Sequence, residues 1–181
     1  ALASLTSADF TLTRDGGANL LTGSQTVTLV SGSTYRLSGL TGLTGTAGAY
    51  TLTLNMSGVQ DLAGNSGTGS ASDAWVVDTV GPTATDVVDV TPDPRATSVS
   101  SLDVVLSETI VLATLTAADF TLTRDGGANL LTGSEAVAFV SGTTYRLSGL
   151  AGLTGTAGTY TLTVSMTAVQ DLAGNTGTGS A

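Results

Sequence analysis

Apolar and polar residues alternate with a period of two along much of the chain. The clearest run is YTLTVSM at residues 160–166, where every second side chain is apolar and those between are Thr or Ser. This alternation is typical of a β-strand with one buried face, and no segment has the period of an amphipathic helix. Strands are predicted at residues 74–78, 83–90, 101–106, 120–124, 135–140, 145–150 and 160–166.

A long internal repeat organises these strands. LTSADFTLTRDGGANLLTGS, which begins at Leu5, recurs as LTAADFTLTRDGGANLLTGS at Leu115, an offset of 115 − 5 = 110 residues. Residues 1–71 align with residues 111–181 without a gap, and about four in five positions are identical. A period of this length is too long for a solenoid unit and matches an independent β-sandwich of about seven strands.

The repeat also predicts the domain boundary. Pro82 follows Gly81 and interrupts strand pairing, which indicates a linker here. We therefore expect two immunoglobulin-like modules, 1–80 without its first strands and 81–181 without its last strand. The missing strands are expected either from flanking sequence or from neighbouring chains.

Two further local features belong to this fold. Asp125, Gly126 and Gly127 predict a tight turn in which the glycines supply positive φ. Tyr50 and Tyr160 follow AGA and AGT at the start of the sixth strand, where a tyrosine hydroxyl can turn back onto the loop backbone. The alternative is a tyrosine that is half-buried without that bond.

The alternation predicts which side chains form the core. The residues expected to be buried are Phe10, Leu12, Leu37, Tyr50, Leu52 and Leu54 in the first copy, and Phe120, Leu122, Leu147, Tyr160, Leu162 and Val164 in the second.

Composition removes several functional classes. The chain has no cysteine, histidine or lysine, which excludes disulfides, thiolate zinc sites and Schiff-base chemistry. Fourteen acids stand against five arginines, a net charge of -9, which argues against nucleic acid as a partner. No stretch is apolar and long enough to span a membrane. Near-duplicate copies favour a repeated mechanical unit over an enzyme.

One loop motif carries candidate chemistry. DLAGN occurs at Asp61–Asn65 and again at Asp171–Asn175. In one interpretation the Asp and Asn side chains bond to nearby backbone N–H groups around a left-handed glycine. In the other, the loop contributes to a calcium site, which needs six to eight oxygen ligands and hence a second element.

The order of these motifs resembles bacterial immunoglobulin-like domains of large surface proteins. VQDLAGN is followed by a strand and then by VDTVGPT, which opens the next unit. The resemblance implies a β-sandwich, secretion to the cell surface, and a role in adhesion or cell-envelope architecture. It also implies neighbouring repeats, and cell-surface or matrix components, as partners.

Ig-like topology makes the calcium hypothesis specific. The last strand of one module leads into the first strand of the next, which starts at the end of the next module that carries its F–G loop. We therefore expect Asp78 to lie near Asp171 and Asn175. Asp61 and Asn65 would instead face a preceding module, so their site would be incomplete. A dry or water-filled hinge in which Asp78 caps a turn is the alternative.

Three functions from different classes remain open at this stage. The first is a structural or adhesive stalk or spacer. The second is a subunit of an extracellular filament or sheath assembled through strand complementation, because missing strands leave open sheet edges. The third is a carbohydrate- or ligand-binding module, although aromatic residues are few and Trp75 lies in an apolar strand.

Overall fold

The computed structural model describes residues 4–181. Residues 1–3 of the expected module 1–80 therefore lie outside the described residues. The chain divides into two compact units, Ala1–Thr79 and Val80–Ala181, which we call unit 1 and unit 2. Regular structure in the described residues is β-strand, apart from 3-10 turns of three residues each.

The described part of unit 1 contains five strands. They are β1 (Phe10–Arg14), β2 (Thr26–Ser31), β3 (Thr34–Ser38), β4 (Gly48–Asn55) and β5 (Ser70–Val77). One antiparallel sheet has the order β1-β4-β5, and β2 pairs with β3 in a second. β5 begins before the predicted residue 74 because the small residues from Ser70 onward already pair with the end of β4.

Unit 2 contains six strands. They are β6 (Ala84–Val87), β7 (Ser101–Leu106), β8 (Phe120–Arg124), β9 (Ala136–Ser141), β10 (Thr144–Ser148) and β11 (Tyr160–Val164). A four-stranded sheet has the order β6-β7-β10-β9, and β8 pairs with β11 in a two-stranded sheet. Both β6 and β11 end earlier than the alternation predicts.

The strand order identifies the architecture. A constant-type Ig sandwich has strands ABED in one sheet and CFG in the other. Unit 2 contains the complete ABED sheet together with C and F, whereas unit 1 contains the CFG sheet together with D and E. The predicted fold class, all-β with Ig-like antiparallel sandwiches, is confirmed.

Half of the predicted core is fully buried. Buried residues are Leu12, Tyr50, Phe120, Leu122, Leu147 and Val164. The prediction was wrong in degree for six residues that are only half-buried: Phe10, Leu37, Leu52, Leu54, Tyr160 and Leu162. For most of these the difference follows from which strands each unit contains.

Two comparisons between the copies show this dependence. Leu147 is fully buried beside β7, whereas its counterpart Leu37 has no such strand next to it in the described part of unit 1. Conversely, Tyr50 is fully buried because Trp75 of β5 stacks on it with ring centroids 5.6 Å apart. Tyr160, without that strand, is half-buried. Leu162 packs on the core of unit 2 but keeps partial exposure.

The predicted tyrosine hydrogen bonds are present in both copies. The Tyr50 hydroxyl donates to the carbonyl of Thr46 at 2.8 Å, and the Tyr160 hydroxyl donates to the carbonyl of Thr156 at 2.7 Å. These bonds fix the loop that precedes the F strand in each unit.

The predicted glycine turn forms with a different residue in the left-handed position. Positive φ occurs at Asp125 and Gly126, not at Gly127. Asp can adopt this conformation here because its carboxylate accepts the N–H of Thr159 at 2.8 Å. The same arrangement recurs at Asp15, which accepts the N–H of Ala49 at 2.8 Å.

Truncating the same aligned leucine in each copy should reveal the difference in burial between Leu147 and Leu37. Leu147→Ala should lower the free energy of unfolding by about 2–5 kcal/mol, because it leaves a cavity in a closed core. Leu37→Ala should cost less, since Leu37 is already partly exposed. Urea titrations followed by circular dichroism measure both, and Trp75 fluorescence reports unit 1 alone because it is the only tryptophan. Equal losses in the two variants would contradict the difference in cover.

Candidate metal site

Each DLAGN loop is closed by its own hydrogen bonds. The Asp61 carboxylate accepts N–H groups of Ala63 and Asn65 at 2.9 and 2.8 Å, and the Asn65 side-chain amide at 2.8 Å. Asp171 accepts the backbone N–H and side-chain amide of Asn175 at 2.8 and 2.7 Å. The local interpretation is therefore confirmed for the Asp side chains, which accept backbone N–H groups, whereas each Asn side chain bonds to the Asp carboxylate instead of to the backbone.

A left-handed glycine completes both loops. Gly64 and Gly174 have φ of 87° and 90°, a region that side-chain-bearing residues rarely adopt. The Gly64 N–H donates to the carbonyl of Asp61 at 3.1 Å, and the Gly174 N–H donates to that of Asp171 at 3.3 Å. The chain reverses here, so that the Asp and Asn side chains lie side by side.

The surroundings of the second loop are closed. Asp171 is 1% exposed and pairs with Ile110 in an isolated antiparallel bridge. The Val111 N–H donates to the carbonyl of Gln170 at 2.8 Å, and the Gln170 N–H donates to the Thr114 hydroxyl at 2.9 Å. The segment after β7 thus covers the loop.

A second carboxylate lies beside Asp171. Carboxylate oxygens of Glu108 and Asp171 lie within 4.8 Å of each other, and Glu108 is half-buried. The DLAGN motif gives no sign of Glu108, because residues 82–110 have no second copy among residues 1–181. The Ig-like topology could have predicted this proximity, because the B–C and F–G loops lie at the same end of an Ig sandwich. Glu108 and Asp171 lie on these two loops.

The chain also enters unit 2 next to this loop. A side chain on Gly81 would overlap the carbonyl of Thr176, so only glycine fits there. Pro82 is buried, and its carbonyl accepts the N–H of Thr178 at 3.3 Å. The first residues of unit 2 therefore run past the residues that follow Asn175.

The remaining predicted ligands lie in unit 1. Asp61 and Asn65 are exposed, and Asp78 is exposed directly after β5. The Gln60 backbone exchanges hydrogen bonds with Ser4, the counterpart of Thr114, at 2.9 and 3.0 Å. The proximity of Asp78 to Asp171 stays a prediction.

Hydrogen bonding keeps both loop carboxylates ionised. Burial acts to raise the pKa of Asp171, but the side-chain and backbone bonds from Asn175 and the N–H groups of Ala173 and Gly174 outweigh it, so the pKa is lowered from 3.8. The pKa of Asp61 is also lowered, first by the Asn65 side chain and then by its backbone N–H. Both groups are anionic at neutral pH.

The oxygen ligands available in unit 2 suit a hard cation in type but are too few to fill its coordination shell. Glu108 and Asp171 supply carboxylate oxygens, which calcium prefers, but calcium takes six to eight oxygens. The Asn175 side-chain N–H group donates to Asp171, which leaves the side-chain carbonyl oxygen of Asn175 as a possible metal ligand. Unit 2 alone therefore offers part of a calcium shell, and carbonyl groups, water or a further acid would have to complete it.

The two aspartates should differ in what their loss costs. Asp171→Ala should lower the melting temperature more than Asp61→Ala at pH 7, because the donors left behind at Asp171 are less accessible to water. A lowered folded-state pKa stabilises the fold above the unfolded value, and this contribution disappears as pH falls through the folded value. The difference should therefore shrink below pH 3.8. Thermal unfolding at a series of pH values measures it, and a difference that grows with acidity would contradict the assignment.

Membrane insertion by a helix has no support in the described residues, none of whose helices is long and apolar enough to cross a bilayer.

Comparison with known proteins gives one family. The family described as bacterial Ig-like domain matches residues 81–181, which is more than half of the chain. No curated protein and no solved structure matches it significantly. The matched range contains the ABED sheet, strands C and F and the second DLAGN loop. The chain belongs to the family of bacterial Ig-like domains.

Proposed function

We propose that this chain is a structural or adhesive tandem-repeat segment, a stalk or spacer, of a large secreted or cell-surface bacterial protein. The observation that carries the proposal is the repeat itself. Strands C and F pair in the same register in both copies. Phe10 pairs with Leu54 in unit 1, and the equivalent residues Phe120 and Val164 pair in unit 2. Repetition of a whole sandwich extends a protein without adding new chemistry, and modules of this family occur in bacterial surface proteins.

The other functional classes have weaker support. Trp75 is half-buried and stacks on Tyr50, so it serves the core of unit 1 rather than forming a platform for a sugar ring. The Ig-like sandwich is typically non-enzymatic, and the chain has no histidine, cysteine or lysine to act as base or nucleophile. We therefore propose no catalytic activity.

Location on the cell tests this proposal directly. An antibody raised against the purified chain should label intact cells of the producing bacterium, and protease added to intact cells should remove the label. Labelling that requires permeabilised cells would overturn a surface role. Sedimentation of the purified chain should show no growth in size with concentration. Concentration-dependent polymers would favour the filament subunit instead.

We further propose that calcium binds at the second DLAGN loop and stiffens the connection between modules. The support is a set of hard oxygen ligands, the carboxylates of Glu108 and Asp171 and the neutral amide carbonyl of Asn175, next to the residues where the chain enters unit 2. Asp78 lies three residues before Gly81, and three residues span at most about 11 Å. Covalent reach therefore allows Asp78 to add an oxygen to this set.

Calorimetric titration with calcium tests the binding. We expect dissociation constants in the range of extracellular modules, about 10⁻⁴–10⁻³ M, and a loss of binding in Asp171→Ala and Asp78→Ala. Asp61→Ala is the matched control and should bind as the parent does, because its loop has no counterpart of Glu108 in the chain. Absence of binding at millimolar calcium, or binding unchanged by Asp171→Ala, would remove the calcium proposal while leaving the stalk proposal intact.

A further inference from the structure

A groove lies in unit 2 where the chain leaves the sheet between β6 and β7. The Val88 N–H donates to the carbonyl of Asp103 at 2.9 Å, and the chain then loops away until β7 begins at Ser101. The loop and the strands beside it enclose a volume of about 250 Å³. Sites for drug-sized ligands have about 300–1,000 Å³, so this groove has room for one small molecule, such as a single sugar ring.

Both ends of the loop are fixed by hydrogen bonds. The Thr154 hydroxyl donates to the carbonyl of Val99 at 2.7 Å and accepts the Val99 N–H at 2.9 Å. The Ser100 carbonyl accepts the N–H groups of Gly149 and Leu150 at 3.1 and 3.0 Å. The groove is therefore a preformed part of unit 2, and a ligand would spend little of its binding energy on ordering the loop.

Two guanidinium groups line this groove, and both are held by the same two nitrogens. Arg95 donates through Nε and Nη2 to the carbonyl and hydroxyl of Thr97, at 2.9 and 3.1 Å. Arg146 donates through Nε and Nη2 to the Asp103 carboxylate, at 2.7 and 2.8 Å. A guanidinium has five N–H donors, and no acceptor among the described residues takes up the Nη1 donors of either side chain. Two oriented cationic donors are thus available to an anion.

The other polar groups of the groove favour a ligand with hydroxyls and a single negative charge. Asp89 has no hydrogen-bond or ion-pair partner in the described part of the chain, so its carboxylate can accept from a hydroxyl. Thr91 and Ser101 add hydroxyl groups. Asp89 and Asp103 balance the charge of the two arginines, and the chain has a net charge of -9, which disfavours multiply charged anions such as phosphate. A carboxylate has one charge and matches the planar guanidinium.

Apolar side chains supply the rest of the wall. Val90, Val99 and Leu102 line the groove and are half-buried. The C–H groups of a sugar ring can pack against such side chains, so binding here does not require the aromatic platform that unit 2 lacks around this groove.

We propose that this groove binds a carboxyl-bearing sugar, a hexuronic acid. Its carboxylate accepts from the Nη1 groups of Arg95 and Arg146. Its hydroxyls donate to Asp89 and exchange hydrogen bonds with Thr91 and Ser101. This inference goes beyond the proposed stalk or adhesive role and does not depend on it. A free monosaccharide and a residue of an acidic polysaccharide present the same groups to the groove.

Nuclear magnetic resonance titration of the full, isotope-labelled chain tests the site. A chelator is present, so that the proposed calcium site takes no part. We expect galacturonate to bind with a dissociation constant on the order of 1 mM and to shift the signals of residues 89–101 and of the Arg95 and Arg146 Nε–H groups. Galactose has the same ring without the carboxylate and should bind at least about tenfold more weakly. Inorganic phosphate should not displace galacturonate.

Substitutions assign the contacts. Arg95→Ala should weaken galacturonate binding at least about tenfold and leave thermal unfolding unchanged, because Arg95 is exposed and bonds only within its own loop. Asp89→Ala should weaken binding of galacturonate but not of acetate, which has a carboxylate and no hydroxyl. Arg36→Ala is the matched control and should have no effect, since Arg36 is the counterpart of Arg146 and residues 89–100 have no second copy among residues 1–181.

Any of three results would overturn the proposal: no shift within residues 89–101 at galacturonate concentrations well above the expected dissociation constant, equal binding of galactose, or binding insensitive to Arg95→Ala. An oligogalacturonate then identifies the source of the ligand. Tighter binding of the oligomer than of the monosaccharide points to an acidic polysaccharide, and equal binding points to a single sugar. A failure in these titrations is distinct from a failure of cell-surface labelling or of calcium binding, which depend on other residues.

Discussion

The pairing of the C and F strands in one register is the interaction on which the rest of this structure depends. Phe10 faces Leu54 and Arg14 faces Tyr50 in unit 1, and the identical pairing occurs between β8 and β11 in unit 2. Side chains in a strand alternate between faces, so a slip by one residue would turn the threonines inward and the apolar residues outward. The correct register instead presents one apolar face to the second sheet. It also brings the chain to the DLAGN loop at a fixed end of the sandwich.

The two copies show that burial is a property of the surroundings and not of the residue alone. Asp61 and Asp171 have the same loop sequence and the same bonds to asparagine, yet one is exposed and the other buried. The difference arises because residues 108–114 lie over the second loop. Tyr50 and Tyr160 show the reverse asymmetry, since the neighbouring strand β5 belongs to the first copy. Each unit thus contains a neighbouring segment that is not found in the described part of the other unit.

The sequence was sufficient for most features that local chemistry determines; an exception is the turn at Asp125, where positive φ occurs at the aspartate and not at Gly127. Period-two alternation located the strands, and their number and the repeat length led to the Ig-like sandwich. The tyrosine bonds to Thr46 and Thr156 and the bonds from backbone N–H groups to Asp61 also followed from residue type and spacing. Burial by strands that are distant in sequence was not predictable in the same way. Alternation marks Leu37 and Leu147 as facing inward, but it does not say which of them a second sheet strand reaches. Glu108 escaped for a related reason, since its significance comes from a loop more than sixty residues away in sequence, at Asp171.

The exposed loop of unit 1 bears on what a cation would do in this family member. Asp61 accepts the N–H groups of Ala63 and Asn65 while it is exposed to water, so these bonds form without burial of the loop. The same bonds in unit 2 leave the carboxylate ionised and already oriented. A cation recruited there would find its first ligands preorganised, and its binding energy would not be consumed in folding the loop. That energy would instead act on whatever further oxygens the ion gathers. On the calcium proposal, a cation at this position would control the stiffness of a connection between modules rather than the stability of a domain.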